Sequence, residues 1–416
     1  MCARHPYTPG VETEDLNRLI RSLNAAGEHP AGEEPLVEHV RELEAAEAVG
    51  PRTGAPIADG ELSPRLAALL TETVRRGGTD LLLVPGAWPV LRLHGSLEPV
   101  SAAAGEPLGP SEAFDLLSPS LSAERRRRYG AEGAVDLSVR LGALGRFRVN
   151  LHRTRRGTAA AIRVLPKRIP PLAELGLPES LYDLTKAARG LLLVTGATGS
   201  GKTTTLAALV DRINRTQKRH VVTIEDPVEY EHAHGASIVE QVEVGADAPT
   251  FAAALVAALR QDPHLIPVGE MRDLETTRAA LTAAETGHLV LSTLHTNDVP
   301  QTVYRITDIF PAEQQATVRQ QLSLALSAVL CQQLVPRADG KGRVVAAELM
   351  LATDGVRAHV RKGTFHQLHT ELTLGRRFGM VTMEESLARL VRSGAITEAE
   401  ARLRAAHPDD LAALLR

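Results

Sequence analysis

A glycine-rich stretch, GATGSGKTTTLAAL, occupies positions 196–209. Gly196, Gly201, Lys202 and Thr203 satisfy the phosphate-loop pattern G-x-x-x-x-G-K-[ST] without a mismatch. Glycines let backbone amides surround an anion, and a helix directly after them points its positive end at the same anion. We expect Lys202 to reach the β- and γ-phosphates and the Thr203 hydroxyl to hold Mg²⁺. The predicted phosphate-binding residues are Gly196, Ala197, Thr198, Gly199, Ser200, Gly201, Lys202, Thr203 and Thr204.

Acidic and histidine residues follow three further apolar runs, VVTI, LIPV and HLVLSTL. In open parallel sheets, ligands collect at the carboxyl ends of the strands, so these residues are expected to face the phosphate loop. Glu270 is the first candidate to orient an attacking water or to contact Mg²⁺ through a water, and Glu229 is the second. His295 is predicted to hydrogen-bond the γ-phosphate.

Two histidine pairs raise the question of a zinc site. His288 and His295 are seven residues apart in a predicted strand, so their side chains point to opposite faces and one metal could not easily take both. His366 and His369 have helical spacing, which we interpret as incidental.

The elements around the phosphate loop are those that the motif requires. Residues 191–194 (LLLV) predict a buried strand, and Leu206, Leu209, Val210 and Ile213 mark one face of a helix. Strands and helices alternate up to HLVLSTL, which predicts a parallel sheet with helices on both faces. After Val299 the pattern is mostly helical, with one strand expected at 343–349.

The remaining chain divides by composition. Residues 1–60 predict a poorly ordered extension, and 61–166 predict a helix followed by an antiparallel sheet. Residues 167–180 contain three prolines and predict a linker to a second domain over 181–416.

Composition narrows the class of protein. A net charge of −3 and 3% aromatic residues argue against a nucleic-acid partner. The two cysteines exclude a four-cysteine zinc site. With no apolar segment long enough for a signal or a membrane span, we expect a soluble cytoplasmic protein.

Four segments resemble the signatures of the PilT family, the retraction ATPases of type IV pili. They are GATGSGKT (Walker A), TIEDPVEY (the Asp box), VGEMRDLETTRAALTAAETGHLV (Walker B with the residues after it) and GHLVLSTLHT (the His box). The segment DGVRAHVRKG also stands where this family has an AIRNLIRE-like motif. The resemblance implies a PAS-like α+β domain before a RecA-like P-loop ATPase domain, an α/β fold with a mainly parallel sheet.

The same resemblance implies roles for individual residues. Glu229 corresponds to the catalytic carboxylate of the Asp box, Glu270 to the Walker B glutamate, and His288 with His295 to the His-box pair. Arg148 matches an arginine that could complete the site across a subunit interface.

The resemblance also implies cofactors, partners and a place in the cell. These are ATP and Mg²⁺, a homohexameric ring, and an inner-membrane platform protein at the pilus base, through which alone the membrane is reached. A second retraction ATPase is a further candidate partner.

Several features depart from the family pattern, and two of them lie in or beside the Walker B strand. Pro267 stands in the Walker B strand in place of an aliphatic residue, and His264 stands where an aspartate is usual. Proline donates no ladder hydrogen bond and is unwelcome in a central strand. This motivates an alternative function, a slow or inactive nucleotide-binding ring subunit that regulates a partner ATPase.

Overall fold

The computed structural model describes residues 62–93, 96–100 and 106–416 of the chain. The extension predicted for residues 1–60 lies outside the described residues.

The first part of the described chain forms a six-stranded sheet. Its strands are β1 (Asp80–Leu83), β2 (Val90–Leu93), β3 (Ser96–Pro99), β4 (Ala134–Leu141), β5 (Gly145–Thr154) and β6 (Gly157–Val164), in the order β3-β2-β1-β6-β5-β4. All its paired strands are antiparallel. Helices α1 (Pro64–Arg75), α2 (Glu112–Leu117) and α3 (Ala123–Glu132) accompany it. The predicted antiparallel sheet is confirmed, while its likeness to a PAS domain stays a prediction.

A second, seven-stranded sheet carries the phosphate loop. Its strands are β7 (Gly190–Thr195), β8 (His220–Glu225), β9 (Ile238–Glu243), β10 (Leu265–Val268), β11 (Leu289–Leu294), β12 (Leu326–Pro336) and β13 (Arg343–Leu351), in the order β13-β12-β7-β11-β10-β8-β9. β13 runs antiparallel to its neighbour β12. The other six strands run parallel to one another. The predicted α/β fold with a mainly parallel sheet is confirmed.

Eleven α-helices belong to this second part of the described chain. They are α4 (Ser180–Leu184), α5 (Lys202–Thr216), α6 (Phe251–Ala258), α7 (Leu274–Glu285), α8 (Val299–Asp308), α9 (Gln315–Ala325), α10 (Asp354–Lys362), α11 (Leu368–Leu374), α12 (Met383–Arg392), α13 (Glu398–Arg404) and α14 (Pro408–Leu415). Several helices begin after a residue whose side chain accepts a hydrogen bond from an amide of the first turn. At the start of α6, the Thr250 side chain accepts from the Ala253 amide.

The central sheet is covered on both faces, which explains its continuous apolar sequence. Leu191 and Leu193 of β7 pack into one core, and Leu192 and Val194 pack into the other. Because alternate residues of one strand enter two different cores, no polar position interrupts the run. Leu172, within the predicted linker 167–180, is also buried in the second of these cores.

The expectation of a mostly helical region after Val299 is wrong for β12. This strand lies between β7 and β13 and is buried for most of its length. Ala328 and Leu330 enter one core while Val329 and Cys331 enter the other, so the strand lacks the alternation that would identify it. The edge strand β9 was missed as well.

Pro267 is accommodated inside β10. The Gly269 amide donates to the Ile224 carbonyl of β8 at 2.8 Å. Because successive backbone N–H groups of a strand point to opposite neighbours, the residue two positions earlier, Pro267, would direct its N–H to β8 as well if it had one. The register to β8 accordingly pairs Leu265 and Val268 and skips the two residues between them. The register to β11 continues through Pro267 without a gap. The proline therefore removes a ladder contact on one side only, and the strand keeps its place.

A search of the described residues for a helix both long and apolar enough to span a bilayer finds none.

Candidate nucleotide-binding site

The phosphate loop connects β7 to α5, and its backbone requires glycine. Gly196 has a φ of 140°, and a Cβ at this position would lie 2.3 Å from the Gln332 carbonyl oxygen and 2.6 Å from Ser200 Oγ. Gly201, with a φ of 93°, caps the start of α5 in the left-handed region. Other residues at these two positions would push the loop away from β12.

Lys202 lies at the centre of this loop and is only 8% exposed. Its Nζ donates to the carbonyl oxygens of Gly196 at 2.8 Å and Ala197 at 3.0 Å. Burial lowers the pKa of the Lys202 ammonium, and the charge of Glu270 opposes that shift. Glu270 is therefore close enough for its charge to act on the lysine.

His295 stands between Lys202 and Glu270. Its Nδ1 is 3.4 Å from Lys202 Nζ, and its Nε2 is 3.4 Å from Glu270 Oε2. Since an ammonium only donates, Nδ1 accepts, and Nε2 carries the proton that faces the carboxylate. The second Glu270 oxygen pairs with Arg272 Nε at 2.8 Å. Two of the predicted catalytic residues are thus brought to the predicted phosphate-binding lysine.

Hydrogen bonds between β10 and β11 fix the position of Glu270. Thr293 Oγ1 donates to the Gly269 carbonyl at 2.6 Å, and the Met271 amide donates to the Thr293 carbonyl at 3.2 Å. The bonds are made by the residues on either side of Glu270, so its backbone cannot shift relative to His295 without breaking them.

Glu229 lies on the loop after β8, and its neighbour Tyr230 contacts the phosphate-loop helix. The Tyr230 hydroxyl is 2.9 Å from Thr204 Oγ1. The Glu229 amide bonds the Glu225 carboxylate, whose pKa is raised, mainly by burial. The Glu229 carboxylate itself is half-buried and forms no hydrogen bond with another described residue.

His288 is not brought to this site within one chain. It precedes β11, and its carbonyl accepts from the Gly190 amide at the start of β7, whereas the phosphate loop follows the end of β7. Its Nδ1 lies 3.1 Å from the Ala283 carbonyl oxygen. The seven positions to His295 span about 23 Å along an extended strand. A role for His288 in catalysis stays a prediction.

Arg146 connects the first sheet to the Asp-box loop of the same chain. Arg146 donates to the Val228 carbonyl and pairs with Glu231 at 3.0 Å, and Arg140 also pairs with Glu231. Arg148 is half-buried on β5, with no hydrogen bond or ion pair to another described residue. The role of Arg148 across a subunit interface stays a prediction.

Gln332 on β12 holds the phosphate loop and was not identified from the sequence. Its Nε2 donates to the Ser200 carbonyl at 2.7 Å, and its Oε1 accepts from Thr205 Oγ1 at 2.9 Å. The residue is 1% exposed. Its strand was expected to be helical, so no sequence pattern indicated that a glutamine would reach the loop.

A cavity of about 520 Å³ opens beside the phosphate loop. The C-terminal helices contribute to its wall, which sequence patterns did not indicate. Its lining residues are Ala197, Thr198, Gly199, Ser200, Asn297, Asp298, Gln332, Gln333, Leu334, Arg343, Leu403, Arg404 and Ala406.

These residues fit a bound nucleotide phosphate. Ser200 Oγ is buried and has no hydrogen-bond partner among the described residues, as expected of a hydroxyl that serves a ligand. The space a Gly196 Cβ would fill is kept free, and the buried Lys202 supplies a positive charge. Thr203 and Glu270 supply the oxygen donors that Mg²⁺ prefers.

Comparison with known proteins identifies similar chains. The chain is 40% identical over 345 residues to the type IV pilus retractation ATPase PilT of Pseudomonas aeruginosa, covering 83% of this chain and 99% of that protein. It is 42% identical over 323 residues to the twitching motility protein of Neisseria gonorrhoeae, covering 78% and 86%. The crystal structure of the pilus retraction motor PilT with bound ADP superposes with a TM-score of 0.77 at 41% identity, covering 84% of this chain and 99% of that chain.

The family model described as type II/IV secretion system protein matches residues 120–413. That range begins just before α3 and includes the phosphate loop, Glu229, Glu270 and His295. The match covers well over half of the chain, and the chain belongs to the type II/IV secretion system protein family.

Proposed function

We propose that this chain is an ATPase that powers the retraction of type IV pili, and so twitching motility. It works as a homohexamer with Mg²⁺ and acts through an inner-membrane platform protein on the cytoplasmic side of the pilus base. The names of the two relatives and the four signature segments support this proposal.

The observation that carries the proposal is the continuous chain of contacts from Lys202 through His295 to Glu270. Phosphoryl transfer to water needs positive charge on the γ-phosphate and a group that orients the attacking water. Lys202 supplies the charge, and the Glu270 carboxylate accepts a hydrogen bond from the water. His295 holds the Glu270 carboxylate on one side and accepts from the Lys202 ammonium on the other. Mg²⁺, when bound through the Thr203 hydroxyl, neutralises charge on the phosphate oxygens.

Force requires two arrangements of the domains with different affinities for ATP and ADP, because a ligand that binds both arrangements equally shifts nothing. The contacts from Arg140 and Arg146 to the Asp-box loop are bonds within one chain that join the first sheet to the catalytic domain. If the domain of the first sheet rotates about the segment 167–180, these contacts either break or the Asp-box loop moves with that domain. We propose that the neighbouring subunit contributes Arg148 to the site in one of the two arrangements.

Replacement of the chromosomal gene tests the function. Cells with a deletion, or with a Lys202→Ala allele, are expected to carry excess pili that do not retract, and the wild-type gene in trans restores retraction. Normal retraction in cells with the Lys202→Ala protein at wild-type level would contradict the proposal.

The alternative function is a slow or inactive ring subunit that binds nucleotide beside a second retraction ATPase. Pro267 favoured this alternative, but β10 keeps its register to β11 with the proline in place. Phosphate release by the purified protein separates the two functions. Turnover equal to that of Lys202→Ala would support the regulatory subunit and exclude the motor.

A further inference from the structure

Three potential metal ligands from two helical segments meet on the surface of the C-terminal region. His369 is the second residue of α11, His407 precedes α14, and Asp410 lies in the first turn of α14. One ligand atom from each residue lies within 4.8 Å of the other two. Among the described residues, no other group of three histidine, cysteine or acidic side chains meets this condition.

One pair in this group already has the separation of two ligands on a metal ion, and the other contact is a close packing of two rings. His369 Nε2 is 3.3 Å from Asp410 Oδ2. The rings of His369 and His407 are packed against each other with centroids 3.9 Å apart, so they have to turn away from each other before both bind one ion. In a tetrahedral zinc site with bonds of about 2.0–2.1 Å, neighbouring ligand atoms are separated by ~3.4 Å. The His369–Asp410 pair already has this separation.

The remaining adjustment falls on the two exposed side chains, His407 and Asp410. Ligand atoms that are at most 4.8 Å apart need to approach each other by no more than about 1.4 Å to reach the separation of a tetrahedral site. The Asp410 side chain is 59% exposed and His407 is also exposed, so these two side chains can turn towards His369, which is 23% exposed. Two imidazoles and a carboxylate are a ligand set that zinc takes with one position left open for water.

The backbone around the three residues is held in place by the core. Leu368 and Leu411, each beside one of the ligands, are fully buried. The His407 amide donates to Glu384 Oε1 at 2.9 Å, and the Ala406 amide donates to the same oxygen at 3.0 Å. The site is therefore preorganised by packing, and a metal would not have to order a loose segment.

We propose that His369, His407 and Asp410 form a site for one divalent transition-metal ion, zinc by its ligand types, that ties α14 to α11. The site is separate from the Mg²⁺ that accompanies the nucleotide, since hard Mg²⁺ prefers oxygen ligands. Ala406, which precedes His407, lines the cavity beside the phosphate loop. The ion therefore fixes a segment that forms part of the wall of the nucleotide site.

The test is metal binding by the full chain in the absence of nucleotide. Chelator-treated protein is titrated with Co²⁺, whose visible absorption reports low-coordinate nitrogen and oxygen ligation, and Zn²⁺ is then added as a competitor. The variants His369→Gln and His407→Gln are each expected to bind one ion fewer per chain than the wild type. The matched controls His366→Gln and Asp409→Asn, each close in sequence to a ligand, are expected to bind as the wild type does. Metal ions bound at other places on the chain add equally to every titration, because every variant retains those places. The difference between variants therefore counts only the ion at this site.

A second measurement reports whether the ion links α14 to α11, and it does not depend on ATP turnover. At a free Zn²⁺ concentration ten times the dissociation constant, hydrogen exchange of the α14 amides through local opening is expected to slow about tenfold. The slowing should occur in the wild type and His366→Gln, and be absent in His369→Gln. Equal metal binding by the wild type and His369→Gln, as expected if His369 and Asp410 form only an ion pair, would overturn the proposal. Unchanged exchange in α14 with the ion bound would overturn the tie.

Discussion

The Nδ1 atom of His295 lies 3.4 Å from Nζ of Lys202, although 93 residues separate the two in the sequence. The contact follows from the pairing of β7 with β11, in which Thr195 is level with Leu294. The residue after each strand therefore emerges at the same edge of the sheet. Because His295 also reaches Glu270, any change at this position acts on both the charge and the carboxylate of the site.

Replacement of His295 by glutamine is expected to lower kcat about 100-fold, because the side chain that positions Glu270 is lost. ADP affinity should change little, since the phosphate loop is intact. Steady-state phosphate release and fluorescent-ADP titration measure the two quantities. The same substitution at His288, at the other end of β11, decides whether a neighbouring subunit uses that residue. A His295→Gln protein as active as the wild type would refute the positioning role.

Gln332→Ala is expected to destabilise the fold by about 1–3 kcal/mol, because the buried Ser200 carbonyl and Thr205 hydroxyl lose their partner. Nucleotide affinity should also fall, since Ser200 belongs to the phosphate loop. Urea unfolding and ADP titration provide the measurements. Gln333 lines the same cavity without a side-chain hydrogen bond to the described residues, so Gln333→Ala is the matched control. Equal effects of the two substitutions would contradict the assigned role of Gln332.

Arg146→Ala is expected to cost more stability than Arg148→Ala, although both residues lie on the same face of β5. The Arg146 side chain is 14% exposed and bonds the Asp-box loop, and hydrogen bonds of charged groups contribute about 1.5–3 kcal/mol. Chemical denaturation at low protein concentration, where contacts between subunits are weakest, compares the two variants. A larger loss for Arg148→Ala would show that this arginine, and not Arg146, secures the Asp-box loop.

Glu348 is expected to make stability depend on pH. Burial raises the pKa of its carboxyl from 4.5 to about 7; the Val299 amide opposes the shift, and the charges of Glu384 and Asp298 add to it. The folded chain holds this proton more tightly than the unfolded chain does. The free energy of unfolding should therefore fall as pH rises from about 4.5 to about 7, by up to about 3 kcal/mol.

Glu348→Gln removes this dependence, because the amide oxygen still accepts from the Val299 amide and carries no charge. The variant should show a flatter stability profile over this pH window and be more stable than the wild type at pH 8. Glu398, whose side chain is 52% exposed, provides the control Glu398→Gln. A profile of Glu348→Gln that parallels the wild type would exclude Glu348 as its source.

The sequence predicted those parts of the fold in which local patterns agree with tertiary structure. The phosphate loop was recognisable through Gly196, Gly201 and Lys202, whose types are required by backbone geometry and phosphate charge. β12 was missed because a strand covered on both faces has the same apolar run as a buried helix. Only its neighbours β7 and β13 make it a strand, and a single sequence does not display those pairings.

The sequence predicted the site residues that directly follow recognisable strands. It did not predict the site residues that other segments of the fold contribute. Glu270 and His295 were found because both stand at the ends of recognisable strands. Gln332, Arg146 and the wall residue Ala406 come from segments whose place in the fold depends on long-range packing. Their glutamine, arginine and alanine side chains occur on most protein surfaces, so their types alone carry no signal.

ATP binding and turnover by Glu270→Gln protein provide the sharpest test of the proposed ATPase site. If Glu270 orients the attacking water and the phosphate loop binds the triphosphate, the variant should bind ATP with nearly wild-type affinity and hydrolyse it about 100- to 1,000-fold more slowly. Bound nucleotide recovered from the variant should then be ATP, whereas the wild type yields ADP. Hydrolysis by the variant at the wild-type rate would refute the role assigned to Glu270.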